Sequence, residues 1–212
     1  MKVTTAYLFL FLLIISNCFS QTTAIPDANF EQKLIDLSID TNGLNGNILD
    51  SDAQAVTNLT LTGNAITNLT GLEAFVNVVT LNLGTNQFAT VPLSTLTLLQ
   101  ELVFDQNVVL ANLNLSNNVN LKKLDIRANG GTNTAPITLI DLSNNTQLEY
   151  IHIYNFKLLQ NVIFPTTNTV EYVFLLMFAD INVDFSGYDN LETLFLSTNF
   201  SNSLTINVVL PN

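Results

Sequence analysis

Residues 121–129 read Leu-Lys-Lys-Leu-Asp-Ile-Arg-Ala-Asn, which is apolar at the first, fourth and sixth places and ends on asparagine. The same apolar pattern occurs seven times along the chain. Successive copies begin 22, 21, 22, 27, 22 and 21 residues apart. A period kept this closely predicts a repeat architecture in which each copy forms one coil. The copies begin at Val56, Val78, Leu99, Leu121, Leu148, Val170 and Leu191.

The copies differ in two ways. Five of them close on asparagine, whereas the fifth and sixth carry Phe156 and Phe178 at that place. The single long step contains about five extra residues, 130–134, which form an insertion after the fourth copy. The asparagines of the other copies are Asn64, Asn86, Asn107, Asn129 and Asn199.

This pattern is the strand segment of a leucine-rich repeat. Each coil lays one short strand beside the previous one and turns its apolar side chains into a shared core, which no coil can bury alone. A buried asparagine amide then bonds backbone groups of adjacent coils. Residues 113–118 and 140–145 alternate instead of following a helical period, so the opposite side is extended. We therefore predict a mostly β, right-handed leucine-rich repeat solenoid with a curved parallel sheet and an extended convex side.

The front of the chain carries a different pattern. Phe30, Leu34 and Leu37 have helical spacing, and Asp27 follows Pro26 where a helix would begin. This pattern predicts one amphipathic helix that covers the open core of the first coil. We place an N-terminal helical cap and polar loop at residues 21–54. The repeats follow at 55–212, with the last one incomplete and a C-terminal cap missing.

The first twenty residues are typical of a secretory signal peptide. Lys2 precedes the apolar run 6–15, and the polar stretch 16–20 follows it. The apolar run is too short to cross about 30 Å of hydrocarbon. We expect cleavage near Ser20 and a secreted or outer-surface location, with lipidation of Cys18 as the alternative. The cleaved chain has no cysteine, and we expect a monomer without disulfides.

Composition narrows the range of functions. Six basic residues face 17 acidic ones, so the net charge of −11 argues against a nucleic-acid partner. One histidine and one cysteine exclude a Cys/His zinc site and a Cys-His catalytic pair. No phosphate-binding loop or paired catalytic carboxylate is present in the sequence. We expect a protein that is not an enzyme, has no cofactor except calcium as an alternative, and has no membrane span.

The repeat register predicts which side chains point out of the concave sheet. The middle column contains Thr60, Asn82, Val103, Asp125, His152, Phe174 and Phe195. Aromatic residues gather in the last three coils, with Met177 expected just beyond its strand. An exposed aromatic cluster on rigid strands suits ligand binding, although aromatic residues also favour strands in general. The candidate ligand-binding residues are Tyr150, His152, Tyr154, Tyr172, Phe174, Leu176 and Phe195.

Two charged features have less specific interpretations. Asp125 and His152 occupy one column on adjacent strands, which places them within reach of a hydrogen bond. No serine or cysteine accompanies them on the outward strand positions of coils four to six, so a plain strand-face pair is favoured over catalysis. Glu149, Glu171 and Glu192 recur at one repeat position, and we interpret them as a solvated edge.

Residues 40–52 resemble an EF-hand calcium loop. Such a loop needs oxygen ligands at its first, third and fifth positions, glycine at the sixth and a bidentate acid at the twelfth. The candidate calcium ligands are Asp40, Asn42, Asn45 and Asp52, with Gly46 as the glycine. One extra residue separates Asp40 from Asn45, and the last ligand is aspartate. The alternative is a polar turn that leads into the sheet.

The stretch Ile25-Pro26-Asp27-Ala28-Asn29-Phe30-Glu31 followed by these repeats resembles the secreted bacterial leucine-rich repeat proteins, among them internalin-like surface adhesins. The resemblance covers about residues 25–212. It implies an extracellular or surface-held module that binds a protein or a glycan. The alternatives are a passive spacer of a larger surface protein or the non-catalytic part of a secreted enzyme.

The last residues suggest that the chain is a piece of a longer protein. Residues 207–211 repeat residues 161–165, and the earlier copy is soon followed by another strand, whereas the later one is not. We therefore expect the apolar face of the seventh coil, including Leu194, Leu196 and Leu204, to be exposed and adhesive.

Overall fold

The computed structural model describes residues 21–63, 65–105, 109–128, 135–198 and 206–211. The expected signal peptide, the insertion at 130–134, Leu204, and the repeat asparagines Asn64, Asn107, Asn129 and Asn199 lie outside these residues. The described part begins with strand β1 (Thr22–Ala24), helix α1 (Ala28–Asp36), strand β2 (Asn47–Leu49) and the short helix α2 (Asp50–Gln54). β1 and β2 pair antiparallel, a pairing that the sequence pattern did not predict.

The predicted N-terminal helix is confirmed as α1. Asp27 is its N-cap and accepts hydrogen bonds from the backbone of Asn29 and Phe30 through one carboxylate oxygen. Phe30 and Leu34 are fully buried against the core, as predicted. Leu37 is 40% exposed, because the helix ends at Asp36 and the chain turns away from the core there.

The second carboxylate oxygen of Asp27 ties this cap to the first coil. It accepts hydrogen bonds from the backbone N–H groups of Thr67 and Asn68 and from the Thr67 hydroxyl. Burial raises the pKa of Asp27, but the hydrogen bonds from Thr67, Phe30 and Asn68 outweigh burial and lower the pKa below its ordinary value. Asp27 therefore caps the helix and joins it to the solenoid.

The seven repeat strands form one parallel sheet, and they follow each other in space in the order of the chain. Their register confirms the predicted middle column, because every neighbouring pair from Thr60 to Phe195 is aligned. The predicted mostly β leucine-rich repeat solenoid is therefore confirmed. The strands are β3 (Asn58–Thr60), β4 (Thr80–Asn82), β5 (Glu101–Asp105), β6 (Lys123–Arg127), β8 (Tyr150–Phe156), β10 (Tyr172–Met177) and β12 (Thr193–Thr198).

The opposite, convex side is extended in the later coils. It contains β7 (Leu139–Asp141), β9 (Asn161–Ile163), β11 (Ile181–Asp184) and β13 (Ile206–Val209). These strands form two separate parallel pairs, β7 with β9 and β11 with β13. An early coil has a short 3-10 turn at Leu72–Ala74 instead. Residues 113–118 form no strand, although their sequence alternates.

The core lies between the two sides of every coil. Leucine, isoleucine, valine and phenylalanine from consecutive coils fill it, and most are less than 3% exposed. The seventh coil differs. Leu194 and Leu196 are only partly buried, whereas Val173 and Leu175 at the same places one coil earlier are 0% and 1% exposed. Among the described residues, the strand of the seventh coil is therefore less completely buried than the strand of the sixth.

Buried asparagines bond coil to coil, as the repeat pattern predicts. The Asn86 amide donates to the backbone oxygens of Leu61 and Leu83, and its oxygen accepts from the backbone of Ile66. A hydrogen-bonded amide of this kind satisfies backbone groups that the strand ladder leaves unpaired. Asn86 therefore joins one coil to the coil before it.

Two further buried asparagines form a second ladder of amides, in which each amide bonds to the backbone of the preceding coil. The sequence pattern did not predict this ladder. Asn118 donates to the backbone oxygens of Leu93 and Leu96, one coil earlier. Asn145 in turn donates to the backbone oxygens of Leu115 and Asn118. Both asparagines are 0% exposed. The signal was the repeated Leu-Ser-Asn-Asn, which the sequence analysis interpreted only as alternation.

Phe156 fills the place of a missing repeat asparagine. It is fully buried and belongs to β8, while the preceding Asn155 has a φ of 69°. The register between β8 and β10 shifts at this point, so that Met177 pairs with Phe156. Asn155 is thus the extra residue of a bulge, and its amide donates to the backbone oxygen of Ala128 one coil earlier.

Among the described residues, no helix is both long and apolar enough to cross a bilayer.

We predict that Asn145→Ala destabilises the protein. The substitution leaves the two buried carbonyl oxygens of Leu115 and Asn118 without this donor. It also removes the Asn145 Oδ1 atom, which has no partner, so the net loss should be about 1 to 2 kcal/mol in the free energy of unfolding. Urea denaturation followed by circular dichroism measures it. The exposed neighbour provides the control, because Asn144→Ala should cost less than about 0.5 kcal/mol. Equal effects of the two substitutions would contradict the role of the ladder.

Candidate functional site

The candidate ligand-binding residues lie on three adjacent strands, β8, β10 and β12. Successive side chains of a strand point to opposite faces, so the buried Ile151, Ile153, Val173 and Leu175 leave the residues between them on the concave face. The structure brings all seven candidates together in three aligned rows. These rows are Tyr150 with Tyr172, His152 with Phe174 and Phe195, and Tyr154 with Leu176.

The rings of two rows are stacked across neighbouring strands. Tyr150 and Tyr172 have ring centroids 4.4 Å apart and an interplanar angle of 5°. Phe174 and Phe195 are 4.3 Å apart at 11°, and His152 lies 4.5 Å from Phe174 at 35°. Strands in a sheet are about 4.8 Å apart, so aligned aromatic residues meet face to face at nearly the stacking distance.

Stacking covers one or both faces of every candidate ring except that of Tyr154. Both faces of Phe174 are covered, one by Phe195 and the other by His152. Tyr154 is 37% exposed and Phe195 is 46% exposed, which makes them the most accessible rings of the cluster. We call the seven candidate residues the aromatic cluster from here on.

Met177 does not belong to the exposed surface, contrary to the expectation. It is 2% exposed and ends β10, after the register shift that follows Leu176. Met177 follows the regular alternation of β10, in which Val173 and Leu175 also point inward, so its side chain lies in the core. The bulge is on the neighbouring β8, where it aligns Phe156 with Met177.

Asp125 and His152 are aligned on neighbouring strands, as the favoured strand-face pair requires, but no hydrogen bond joins them. Arg127 donates to both carboxylate oxygens of Asp125, at 2.7 Å from Nε and 2.6 Å from Nη2. His152 Nδ1 lies 3.8 Å from Asp125 Oδ1, beyond hydrogen-bond distance, and 3.2 Å from the Tyr150 hydroxyl. The Arg127 guanidinium thus takes both hydrogen-bond acceptors of the Asp125 carboxylate.

Sequence reasoning missed the role of Arg127. The signal was its position two residues after Asp125, because residues i and i+2 of a strand share a face. The paired Asp125 raises the pKa of Arg127 further, mainly through the hydrogen bonds between them. This ion pair borders the aromatic cluster on β6.

Burial is the main influence on the pKa values of His152 and Tyr150. Burial lowers the pKa of His152, nearby Arg127 lowers it further, and Asp125 opposes both effects. Burial, together with the charge of Asp125, raises the pKa of Tyr150 to about 12. Lys123 adds a cation at the border, with Nζ 5.6 Å from the centroid of the Tyr150 ring.

The three glutamates form the expected exposed row. Backbone hydrogen bonds join Glu149, Glu171 and Glu192 on consecutive coils, and all three are exposed. Lys122 continues the row one coil earlier and lies 3.6 Å from the Glu149 carboxylate. The arrangement agrees with a solvated edge.

The polar loop at 40–52 is organised around a buried carboxylate from α1. Glu31 is 2% exposed, and its Oε1 atom accepts backbone N–H groups from Asn45, Gly46 and Asn47 at 2.7, 2.6 and 3.1 Å. A carboxylate that receives three donors holds this turn in place. The sequence analysis did not single out Glu31.

The four candidate calcium ligands have protein partners in this loop. Asp40 accepts the Asn42 backbone N–H, and Asp52 accepts both donors of Thr41. The described residues contain no group of three or more His, Cys, Asp or Glu side chains that could hold a metal. Asp40 Oδ2 is buried without a partner, and burial raises the Asp40 pKa, with Glu31 adding to that effect. The contacts favour the polar turn, and the calcium site stays a prediction.

For His152 we predict an NMR-measured pKa below 6.5. Because folding lowers this pKa, the imidazole stabilises the fold above pH 6.5, and this contribution is lost as the pH falls through the folded pKa. Phe174→Ala reopens the ring to water and should raise the pKa towards 6.5. Thr60→Ala, at the far end of the same column, should not change it. The chain has a single histidine, so the signal is unambiguous. A wild-type value above 6.5 would contradict the burial argument.

The calcium prediction is tested by thermal unfolding with and without added calcium. A bound ion raises Tm because it binds only the folded chain, and Asp52→Ala should abolish that rise. The decisive quantity is the calcium-dependent increment, since losing the Thr41 contacts lowers Tm by itself. Glu171→Ala, an exposed acid on another coil, should keep the increment. A wild-type Tm that does not respond to calcium would leave the polar turn as the interpretation.

Comparisons with known proteins bear on the fold. No protein-family model matches the chain, and no curated protein sequence matches it either. The functional domain of InlJ from Listeria monocytogenes is similar in structure, with a TM-score of 0.51 and 20% identity over 86% of this chain. The match covers 49% of that domain, so the chain spans about half of its length.

A second solved structure agrees. Internalin C2 from Listeria monocytogenes has a TM-score of 0.50 at 13% identity, over 91% of this chain and 100% of that one. At such identities the likeness is one of fold, and it confirms the predicted resemblance at that level. The chain has the leucine-rich repeat solenoid fold that these internalins have.

Proposed function

We propose that this protein binds another protein with the concave face of β8, β10 and β12, outside the cell or at its surface. The observation that carries the proposal is the aromatic cluster, which sets six ring side chains and Leu176 side by side on rigid strands. Aromatic rings on fixed strands supply contact area at little entropic cost, and such rings are enriched where proteins meet.

Solvent exposure argues against a purely structural role for the cluster. Phe195 and Tyr154 keep 46% and 37% of their surface in water, although each contacts other rings. A contiguous exposed apolar patch is unusual in a monomeric protein and marks interaction sites. The bordering Asp125–Arg127 pair and Lys123 provide polar groups of the kind found at the rim of an interface.

The ring geometry favours a protein ligand over a glycan. A sugar binds an aromatic side chain by lying flat against an open ring face, and stacking covers at least one face of every ring in the cluster except Tyr154. Ring edges, the Tyr154 side chain and the hydroxyl groups remain accessible. These groups suit the apolar and hydrogen-bonding side chains of a protein surface.

The extracellular location rests on the sequence. The signal peptide predicted at residues 1–20 supports export. The resemblance to secreted bacterial leucine-rich repeat proteins supports the same location.

Probing arrays of extracellular proteins and of glycans with the labelled protein tests this function. We expect a protein partner, and we expect that replacing Tyr150, Tyr172 and Phe174 together by serine weakens its binding on the order of 100-fold. The conservative variant Tyr172→Phe keeps the ring stack and should bind normally. Circular dichroism and Tm establish that each variant is folded.

A matched triple variant controls for the number of substitutions. Thr60→Ser, Asn82→Ser and Glu101→Ser change the polar end of the same concave face and should leave binding unchanged. Equal binding by the two triple variants would contradict the proposal and favour the passive spacer. Binding to glycans alone would contradict the choice of a protein ligand.

A further inference from the structure

The convex side has a gap between β9 and β11. β9 pairs with β7, and β11 pairs with β13, but β9 and β11 belong to separate sheets. On the concave side of the same two coils, β8 and β10 are paired along their length. The two coils are therefore joined at the front and open at the back, and each of the two facing convex strands has a free edge.

A cavity of about 630 Å³ lies at this gap, between the end of β9 with the turn that follows it and the corresponding part of the next coil. Its size lies in the range of ligand-binding clefts in proteins. Val162, Phe164 and Val183 supply apolar surface, and Asn182 and Asp184 supply polar groups. We call this cavity the convex groove.

Backbone groups of both strands turn towards the groove. In a parallel sheet, one residue directs its backbone N–H and C=O groups towards the strand on one side. The next residue directs its own backbone groups towards the strand on the other side. Asn161 and Ile163 bond to the β7 side, which leaves the backbone of Val162 facing the groove. Phe185 bonds to Val209 of β13, so the backbone of Asp184 faces the groove as well. Unpaired edges of this kind are templates for an added strand.

Contacts at the floor of the groove join the two coils. The Tyr188 hydroxyl donates to the Pro165 backbone oxygen, which joins the coils where earlier coils use a buried asparagine. Phe185 packs edge-on against Phe164 at 5.2 Å and against Tyr188 at 5.1 Å. These contacts join the two coils next to β9 and β11, which stay unpaired with each other.

The rim of the groove is acidic. Asp184 lines it, and Asp189 lies beside it and accepts from the Asn168 amide. Hydrogen bonds from Ser186 lower the Asp184 pKa, so that carboxylate stays charged at neutral pH. No lysine, arginine or histidine lines the groove, and the chain carries a net charge of −11. The charge complements a basic ligand.

We propose that the convex groove binds an extended basic segment of a partner protein, which lies between β9 and β11 as an added strand. Backbone hydrogen bonds to the two free edges hold the segment, its apolar side chains contact Val162 and Phe164, and flanking lysines meet Asp184. This mode of recognition is β-strand addition. The site is independent of the aromatic cluster, which lies on the opposite side of the same coils.

The test uses a fluorescein-labelled peptide, Lys-Val-Thr-Val-Thr-Val-Lys, and measures its binding by fluorescence anisotropy. Gly187→Phe places a ring in the groove, and this variant should fold, because a Cβ atom at Gly187 meets nothing within 4 Å. We expect it to weaken binding at least about tenfold. Gln147→Phe puts the same ring on an exposed turn outside the groove and should bind as the wild type does.

Two further peptides separate strand addition from other binding. Proline in place of the central valine removes a backbone donor and should abolish binding. Glutamate in place of both lysines should weaken it at least about tenfold. Failure of the wild type to bind the first peptide would overturn the proposal, as would equal binding by Gly187→Phe or equal affinity for the proline peptide. The Tyr150, Tyr172 and Phe174 triple-serine variant should bind the peptide normally, so this result is distinguishable from failure of the concave-face proposal.

Discussion

Hydrogen bonds from buried side chains to the backbone of the preceding coil hold this protein together. Strand pairing joins the coils on the concave side, but every coil also turns twice, and its turns leave carbonyl groups that no ladder satisfies. Asn118 and Asn145 each donate to two such carbonyl oxygens, and they do so without any exposure to water. A buried carbonyl that loses its donor costs more than the bond contributes in water, so these amides determine how closely the coils stack. The 30 asparagines of the chain are in part explained by this demand.

Close stacking of the coils determines what the concave face can present. Because β8, β10 and β12 are aligned from Tyr150 to Tyr154 and at the matching positions of the other two strands, any residue type that recurs at an outward position there faces its own kind at the strand spacing. Tyr150 and Tyr172 stack for that reason, and so do Phe174 and Phe195. Each stack restrains its two rings and covers the ring faces that they turn towards each other. The ligand chemistry of this face therefore follows from the spacing of the strands as much as from the identity of the residues.

The fifth and sixth coils depart from the repeat pattern on both sides of the molecule. On the concave side Phe156 replaces the repeat asparagine, and the bulge at Asn155 re-aims the end of the strand. Near the convex side Tyr188 replaces the buried asparagine of earlier coils, and its ring needs more room than an amide. The convex ladder is interrupted between β9 and β11, next to this substitution. Both proposed binding surfaces therefore lie on the coils whose local rules are relaxed, which is where function is expected to override regular packing.

The sequence by itself determined the period, the core positions, the N-terminal helix and the outward columns, because a two-residue strand alternation inside a fixed repeat leaves only one register that buries the leucines. Only the tertiary structure decided which polar groups pair. Asp125 bonds to Arg127 and not to His152, and Glu31 reaches a loop 14 residues further along the chain. The periodicity of apolar residues predicts which side chains are buried, because burial depends only on the strand face that a residue occupies. Hydrogen-bond partners depend on distances of a few tenths of an ångström between side chains on different coils, and no one-dimensional pattern contains those distances.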